Sequence, residues 1–148
     1  MPSYLKKVAI RMVDDGIIEC QDSIVSTQGA KEAVAAYVMD FDREIFGVIS
    51  LDAKGTPLNV SIVSIGCLFY TPVHPREVFK AAILSNAAAI VAFHNHPSGS
   101  NIFSEDDIEV HKRMRDAGKL MGIKLIDSIL ITGMDGRIYS MGDVIGES

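Results

Sequence analysis

The sequence predicts a mixed α/β (α+β) domain, a central sheet holding hairpins and a crossover with helices packed against it. Three observations carry this. The chain has 148 residues, 48% of them hydrophobic and 22% charged, which suits a single core, since a chain of about 150 residues buries roughly two-thirds of its unfolded surface. Apolar runs of strand length alternate with stretches of helical periodicity. One run, Ala89-Ile90-Val91-Ala92-Phe93, is apolar on both faces, as a strand covered by helices on both sides needs to be. No internal repeat, low-complexity tract or Pro/Ser-rich linker divides the chain, so residues 1–148 read as one domain.

The elements follow in order. Val8-Ala9-Ile10-Arg11-Met12-Val13 alternates weakly and runs through Asp14-Asp15-Gly16 into Ile17-Ile18-Glu19-Cys20, a hairpin signal. Ser26 or Thr27 can cap a helix through about Met39, with Ala33, Ala36 and Tyr37 among its apolar positions. Glu44 to Leu51 reads as a strand that turns at Ala53-Lys54-Gly55-Thr56-Pro57 and returns through Leu58 to Ile65. Pro72 and Pro75 punctuate a loop, and Pro75 is a good first residue for a helix to about Asn86 with Val78, Ala82 and Ile83 on one side. After the central strand, a helix spans roughly Ser104 to Met121 and stops at Gly122. Lys124 to Ile131 is a further strand, turned back by Met134-Asp135-Gly136-Arg137 into Ile138 to Met141.

Composition excludes several classes. Fourteen Lys+Arg against nineteen Asp+Glu give a net charge of −5, which argues against non-specific nucleic-acid binding through a basic surface. The longest apolar run, Ala87 to Phe93, is far below the ~18 residues of a membrane span. The opening MPSYLKKVAI has no apolar signal-peptide core. Cys20 and Cys67 form no CxxC pairing and read as buried thiols of a reducing compartment. The expectation is a cytoplasmic protein with no membrane partner. Open hairpin edges offer a second copy a pairing surface without requiring one.

The chemistry concentrates after the central strand. His94 and His96 stand two apart, so in a strand they point to the same face, and their imidazoles can converge on one ion. Zinc takes His nitrogens at ~2.0–2.1 Å, and a catalytic site supplies three protein ligands and leaves the fourth position to water. By itself, H-x-H fits better a polar pair leaving a sheet edge. Seven residues, Pro97 to Phe103, separate His96 from Ser104-Glu105-Asp106-Asp107. This is a capping box, with Phe103 and Ile108 placed for a hydrophobic staple and three acids matched to the helix dipole. Yet Asp107, Val110, Met114, Ala117 and Met121 form one apolar stripe, so Asp107 lies at the edge of the core, where a carboxylate needs a charge partner. An ion held by the two histidines is one such partner. His111, four residues on, reads as a solvated or supporting imidazole. A hydrolytic site also needs a base: Glu44 shares a strand face with Phe46 and Val48, though a solvated strand-start Glu has the same spacing, and Glu77 belongs to ordinary first-turn chemistry. The letters HNH are not the nuclease motif of that name, the PCxxC of zinc deaminases is missing, and no GxxxxGK[ST] or GxGxxG phosphate loop occurs.

Taken together, an upstream Glu44, His94-Asn95-His96, seven residues and Ser104-Glu105-Asp106-Asp107 resemble the JAB1/MPN (JAMM) metalloenzyme superfamily. Pro75-Arg76-Glu77-Val78-Phe79, Asn86-Ala87-Ala88-Ala89 and His94-Asn95-His96-Pro97-Ser98-Gly99 give the resemblance a bacterial RadC-like flavour. It covers about residues 26–140. The resemblance implies a cytidine-deaminase-like mixed sheet, one Zn²⁺ per chain on His94, His96 and Asp107, Glu44 as the base that takes a proton from water, and Ser104 as a donor to the oxyanion. It also implies hydrolysis of a peptide or isopeptide bond in a protein or peptide substrate. The alternative is a protein of DNA repair or mobile elements, with a metal serving phosphodiester chemistry or structure. Against that alternative stand the net charge and the expectation that 148 residues leave no room for the helical DNA-binding domain of longer RadC-like proteins. Where such proteins often carry His after the Asp of the following strand, this chain has Ser128.

Overall fold

The computed structural model describes residues 1–21, 26–66 and 73–146. Ten elements follow one another: α1 (Thr27–Val38), β1 (Ile45–Leu51), β2 (Pro57–Ile65), α2 (Pro75–Val78), α3 (Lys80–Leu84), β3 (Ala89–His96), α4 (Glu105–Met121), β4 (Lys124–Thr132), β5 (Ile138–Ser140) and α5 (Met141–Ile145). The strands form one mixed sheet in the order β2-β1-β3-β4-β5. β1 runs antiparallel to both β2 and β3, whereas β3 and β4 are parallel, joined through α4. A parallel pair requires such a crossover, and a helix is its usual form. Among the described residues no helix is long and apolar enough to cross a membrane.

The central position expected for Ala89–Phe93 is the one observed. Ile90 and Ala92 of β3 face one side and join Phe46, Val48, Val78, Phe79, Ala82 and Met114 under α2, α3 and α4. Val91 and Phe93 face the other and join Ile49, Ile129 and Ile131 under α1. Two cores thus clamp the sheet. Fully burying each large aliphatic or aromatic side chain contributes about 1.5–3 kcal/mol.

Helix ends are set by local chemistry. Ser26 Oγ accepts the N–H of Gly29 at 2.9 Å to start α1, and Gly122, with φ 73°, closes α4 in the left-handed conformation expected of a C-terminal glycine. The inward stripe of α1 is Ala30, Val34, Ala35 and Val38, leaving Ala36 and Tyr37 on the outer side. The helix expected from Pro75 is interrupted at Phe79, whose fully buried ring takes the inward position and turns Ile83 out to solvent. The last strand stops at Ser140. There an unanticipated S-x-x-D signal operates, Ser140 Oγ accepting from Asp143 N–H at the head of α5.

One expectation fails outright. Residues 8–20 form no hairpin; the segment is irregular and mostly exposed. A lone two-stranded hairpin is marginal in water, and the sheet does not extend to include this one. Cys20 is half-buried, not buried; Cys67 and Pro72 lie outside the described residues.

Gly118 shows how tightly α4 is seated. A Cβ there would lie 2.3 Å from the backbone oxygen of Ile123, which cannot yield without moving the start of β4. Gly118→Ala therefore destabilises the protein by about 1–3 kcal/mol, despite the better helix propensity of Ala. Urea unfolding of the two proteins checks this.

Candidate metal centre

The site lies at the carboxyl end of β3, where ligand sites of sheet-based folds gather. His94 and His96 project from one face of the strand, their ring centroids 5.0 Å apart. Asp107 reaches them from the first turn of α4. Its Oδ1 lies 3.3 Å from His94 Nε2 and its Oδ2 lies 3.3 Å from His96 Nε2. One ligand atom from each of the three residues falls within 4.8 Å of the others, so the triad could hold a metal ion. In a tetrahedron with bonds of ~2.0–2.1 Å, neighbouring ligand atoms stand about 3.3–3.4 Å apart; each imidazole stands at that distance from a different oxygen of the carboxylate.

Two details fit the donor set to an ion. His94 Nε2 is buried and makes no hydrogen bond although a carboxylate oxygen is 3.3 Å away, so this polar atom is oriented for something other than that oxygen. His96 Nδ1 lies 3.1 Å from the Ser100 carbonyl. A carbonyl only accepts, so Nδ1 is the donor, and Nε2 is the nitrogen turned toward Asp107. Holding the outer ring nitrogen in this way fixes the ligand's tautomer and orientation.

Asp107 also completes the capping box. Its Oδ2 accepts the Ser104 N–H at 2.9 Å, and Ser104 Oγ accepts the Asp107 N–H at 3.0 Å. The cap and the triad are thus built from the same residues. Because Ser104 Oγ only accepts in the cap, its own proton remains to be donated. Phe103 packs with Leu130 and Met141, and Ile108 lies against them, which pins the loop to the helix.

Glu44 is brought to the same place by strand register. Phe46 pairs with His94 across the antiparallel ladder, so two residues back Glu44 comes level with His96. Both line one cavity of about 550 Å³, with His94, Ser104 and Asp107. A residue missed in the sequence secures this alignment. Asn95, fully buried between the histidines, accepts the Ile45 N–H at 2.6 Å through Oδ1 and donates to the Arg43 carbonyl at 3.1 Å through Nδ2. It clamps the backbone on both sides of Glu44. A buried amide at a strand end, between two candidate ligands, is the signal that could have found it. Gly133, just past the end of β4, packs against the backbone after His96: its N–H donates to the His96 carbonyl at 3.0 Å, and a Cβ would lie 2.8 Å from the Pro97 oxygen.

The remaining candidates fall into place. His111 is not solvated; it is 2% exposed, its Nδ1 is 2.7 Å from Ser128 Oγ, and both residues line the cavity. Glu77 is exposed and paired with Lys80 at 2.7 Å, away from the triad.

A mixed sheet presenting H-x-H at a strand end and S-x-x-D at a helix start defines the JAB type of domain. The chain belongs to the RadC-like JAB domain family, whose description matches residues 24–145. It is 42% identical over 120 residues to a UPF0758 protein of Syntrophomonas wolfei, covering 78% of this chain and 51% of that one. A UPF0758 protein of Desulfitobacterium hafniense is 43% identical over 118 residues, 80% of this chain and 51% of the relative. One from Methanosarcina acetivorans is 45% identical over 101 residues, 68% and 43% of the two chains. The chain spans about half the length of the curated relatives it matches.

Charge is balanced within the triad. Burial opposes ionisation of Asp107, but the contacts to His94 and His96 outweigh it and hold the carboxyl far below the usual carboxylate range. The hydrogen bond to Asp107 raises the pKa of His96 against the opposing effect of burial, with Glu44 adding to the rise. In metal-free protein the depressed Asp107 contributes stability above about pH 3.9, its unfolded value, which is lost as pH falls through the native one. The raised His96 contributes fully below about pH 6.5 and its share is lost as pH rises through the elevated native value. Metal-free protein is therefore stabilised most by this pair between those two limits. Asp107→Asn should flatten the dependence on both sides, as read from urea midpoints across a pH series.

Proposed function

We propose that the chain is a zinc-dependent hydrolase of peptide or isopeptide bonds. The observation that carries this reading is the convergence of ligand atoms of His94, His96 and Asp107 within 4.8 Å of one another in a cavity that also holds Glu44 and Ser104. His94, His96 and Asp107 would hold the ion. Zinc bound there supplies Lewis acidity and lowers the pKa of water from about 15.7 toward about 7. The Glu44 carboxylate accepts a proton from the attacking water and delivers it to the departing amine nitrogen as the C–N bond breaks, leaving an acid and an amine. The Ser104 hydroxyl donates to the carbonyl oxygen as negative charge develops on it, an interaction whose loss costs on the order of 10²–10³ in rate at comparable sites.

The charged lining supports an amide over a phosphodiester substrate. Besides the triad, the cavity carries Glu44, Asp106 and Glu109 against Arg113, a balance that repels phosphate groups. A protein or peptide as partner, and a cytoplasmic setting for its two cysteines, belong to the same reading.

The deciding experiment is metal content per chain in protein purified without chelator. About one zinc in the wild type, lost in Asp107→Ala, is the expected result. Wild-type protein that carries no metal and takes up none at micromolar zinc overturns the reading. Glu44→Gln should keep its zinc while losing about 10²–10⁴ in rate on fluorogenic peptide and isopeptide substrates; unchanged turnover would remove Glu44 from its role.

A further inference from the structure

The open edge of the sheet carries a second, independent feature. β2 is an edge strand of nine residues without a single charge. Edge strands of that length are pairing templates unless covered or charged, and the opposite edge, β5, has only three residues. Alongside β2 runs a slot of about 1090 Å³. Ala33 and Tyr37 of α1 bound it on one side of the sheet, and Ala81 and Leu84 bound it on the other. Leu58 and Ile62 of β2 stand partly exposed within it. This is the shape left for one more strand.

The same chain displays a segment of matching character. Residues 4–11, Tyr4-Leu5-Lys6-Lys7-Val8-Ala9-Ile10-Arg11, hold no secondary structure, and Leu5, Val8 and Ile10 are 98%, 78% and 76% exposed. So much apolar surface on one short stretch marks an interaction site. Charge is complementary as well: the segment bears Lys6, Lys7 and Arg11 and no acid, whereas the slot is lined by Asp14, Asp15 and Glu77 against Lys80.

The segment cannot easily fill its own slot. Residues 12–18 already form one wall of it, and Met12 Sδ lies 3.5 Å from Ser85 Oγ. To re-enter, the chain would have to reverse between residues 4 and 13, where there is no Gly, Pro, Asn or Asp to make the turn. We infer that residues 4–11 of one copy add as a strand to β2 of a second copy, and the reverse, giving a two-fold homodimer by reciprocal strand addition. Such an interface is self-complementary and closed, with backbone hydrogen bonds supplying affinity and the alternate side chains entering the slot.

Analytical ultracentrifugation of the 148-residue chain tests this, with hydrogen exchange read on the same samples. The expected result is a dimer at tens of micromolar with the amides of residues 4–11 and β2 protected. Ile10→Asp in the segment and Ile62→Asp in the slot should each weaken dimerisation about tenfold or more, with circular dichroism unchanged. An equimolar mixture of the two variants, which restores one intact segment and one intact slot, should contain more dimer than either variant alone. A monomeric wild type overturns the inference, whether residues 4–11 are protected or not. So does a dimer indifferent to both substitutions, which would place the contact elsewhere. Zinc content is untouched in every case, so this outcome and that of the hydrolase reading are separate.

Discussion

The carboxylate of Asp107 is the constraint on which the rest of the site depends. It is drawn out of water at the start of a helix, where it must satisfy two demands at once. Oδ2 receives the Ser104 amide and so caps α4, while both oxygens face imidazoles at 3.3 Å. A buried acid without such partners costs several kcal/mol or takes up a proton. Here the helix start and the two histidines share it. Because the cap holds the carboxylate independently of any ion, the ligand geometry is set by the fold and does not have to be assembled on binding.

Around that carboxylate the sheet does the positioning. β3 is buried on both faces, so its register with β1 and β4 is fixed by two cores at once, and a slip by one residue would send every side chain into the opposite core and turn His94 and His96 away from Asp107. This delivers His94 and His96 to one face and Asn95 to the other. Asn95 then ties the backbone of Arg43 and Ile45 to the strand that bears the histidines. The position of Glu44 relative to the triad is thereby governed by a residue that belongs to neither.

Much of this was legible in the sequence, where local chemistry and burial point the same way. The doubly apolar run of β3, the Ser104 cap, the Gly122 stop and the H-x-H to S-x-x-D spacing each carry a physical signal strong enough to survive folding. The failures are those in which tertiary context decides. Residues 8–13 alternate like a strand but find no third strand within their own chain. Phe79 bends a helix because its ring is claimed by the core beneath β1 and β3. His111 lies three residues before Met114 and seven before Gly118, the other buried positions of α4; the stripe read from Asp107 to Met121 leaves it out, its polarity argues for solvent, and the Ser128 hydroxyl on β4 is the partner that lets it be buried.

The triad is contributed by two elements and its candidate base by a third, on stretches of chain separated by roughly fifty residues. During synthesis Glu44 and β1 emerge long before their partner strand exists, and the last ligand appears only when α4 begins. No early fragment of this chain can therefore sequester an ion in the geometry described. An ion held by these three residues would therefore be taken up by a finished fold, and its occupancy would follow the metal supply and not the history of translation.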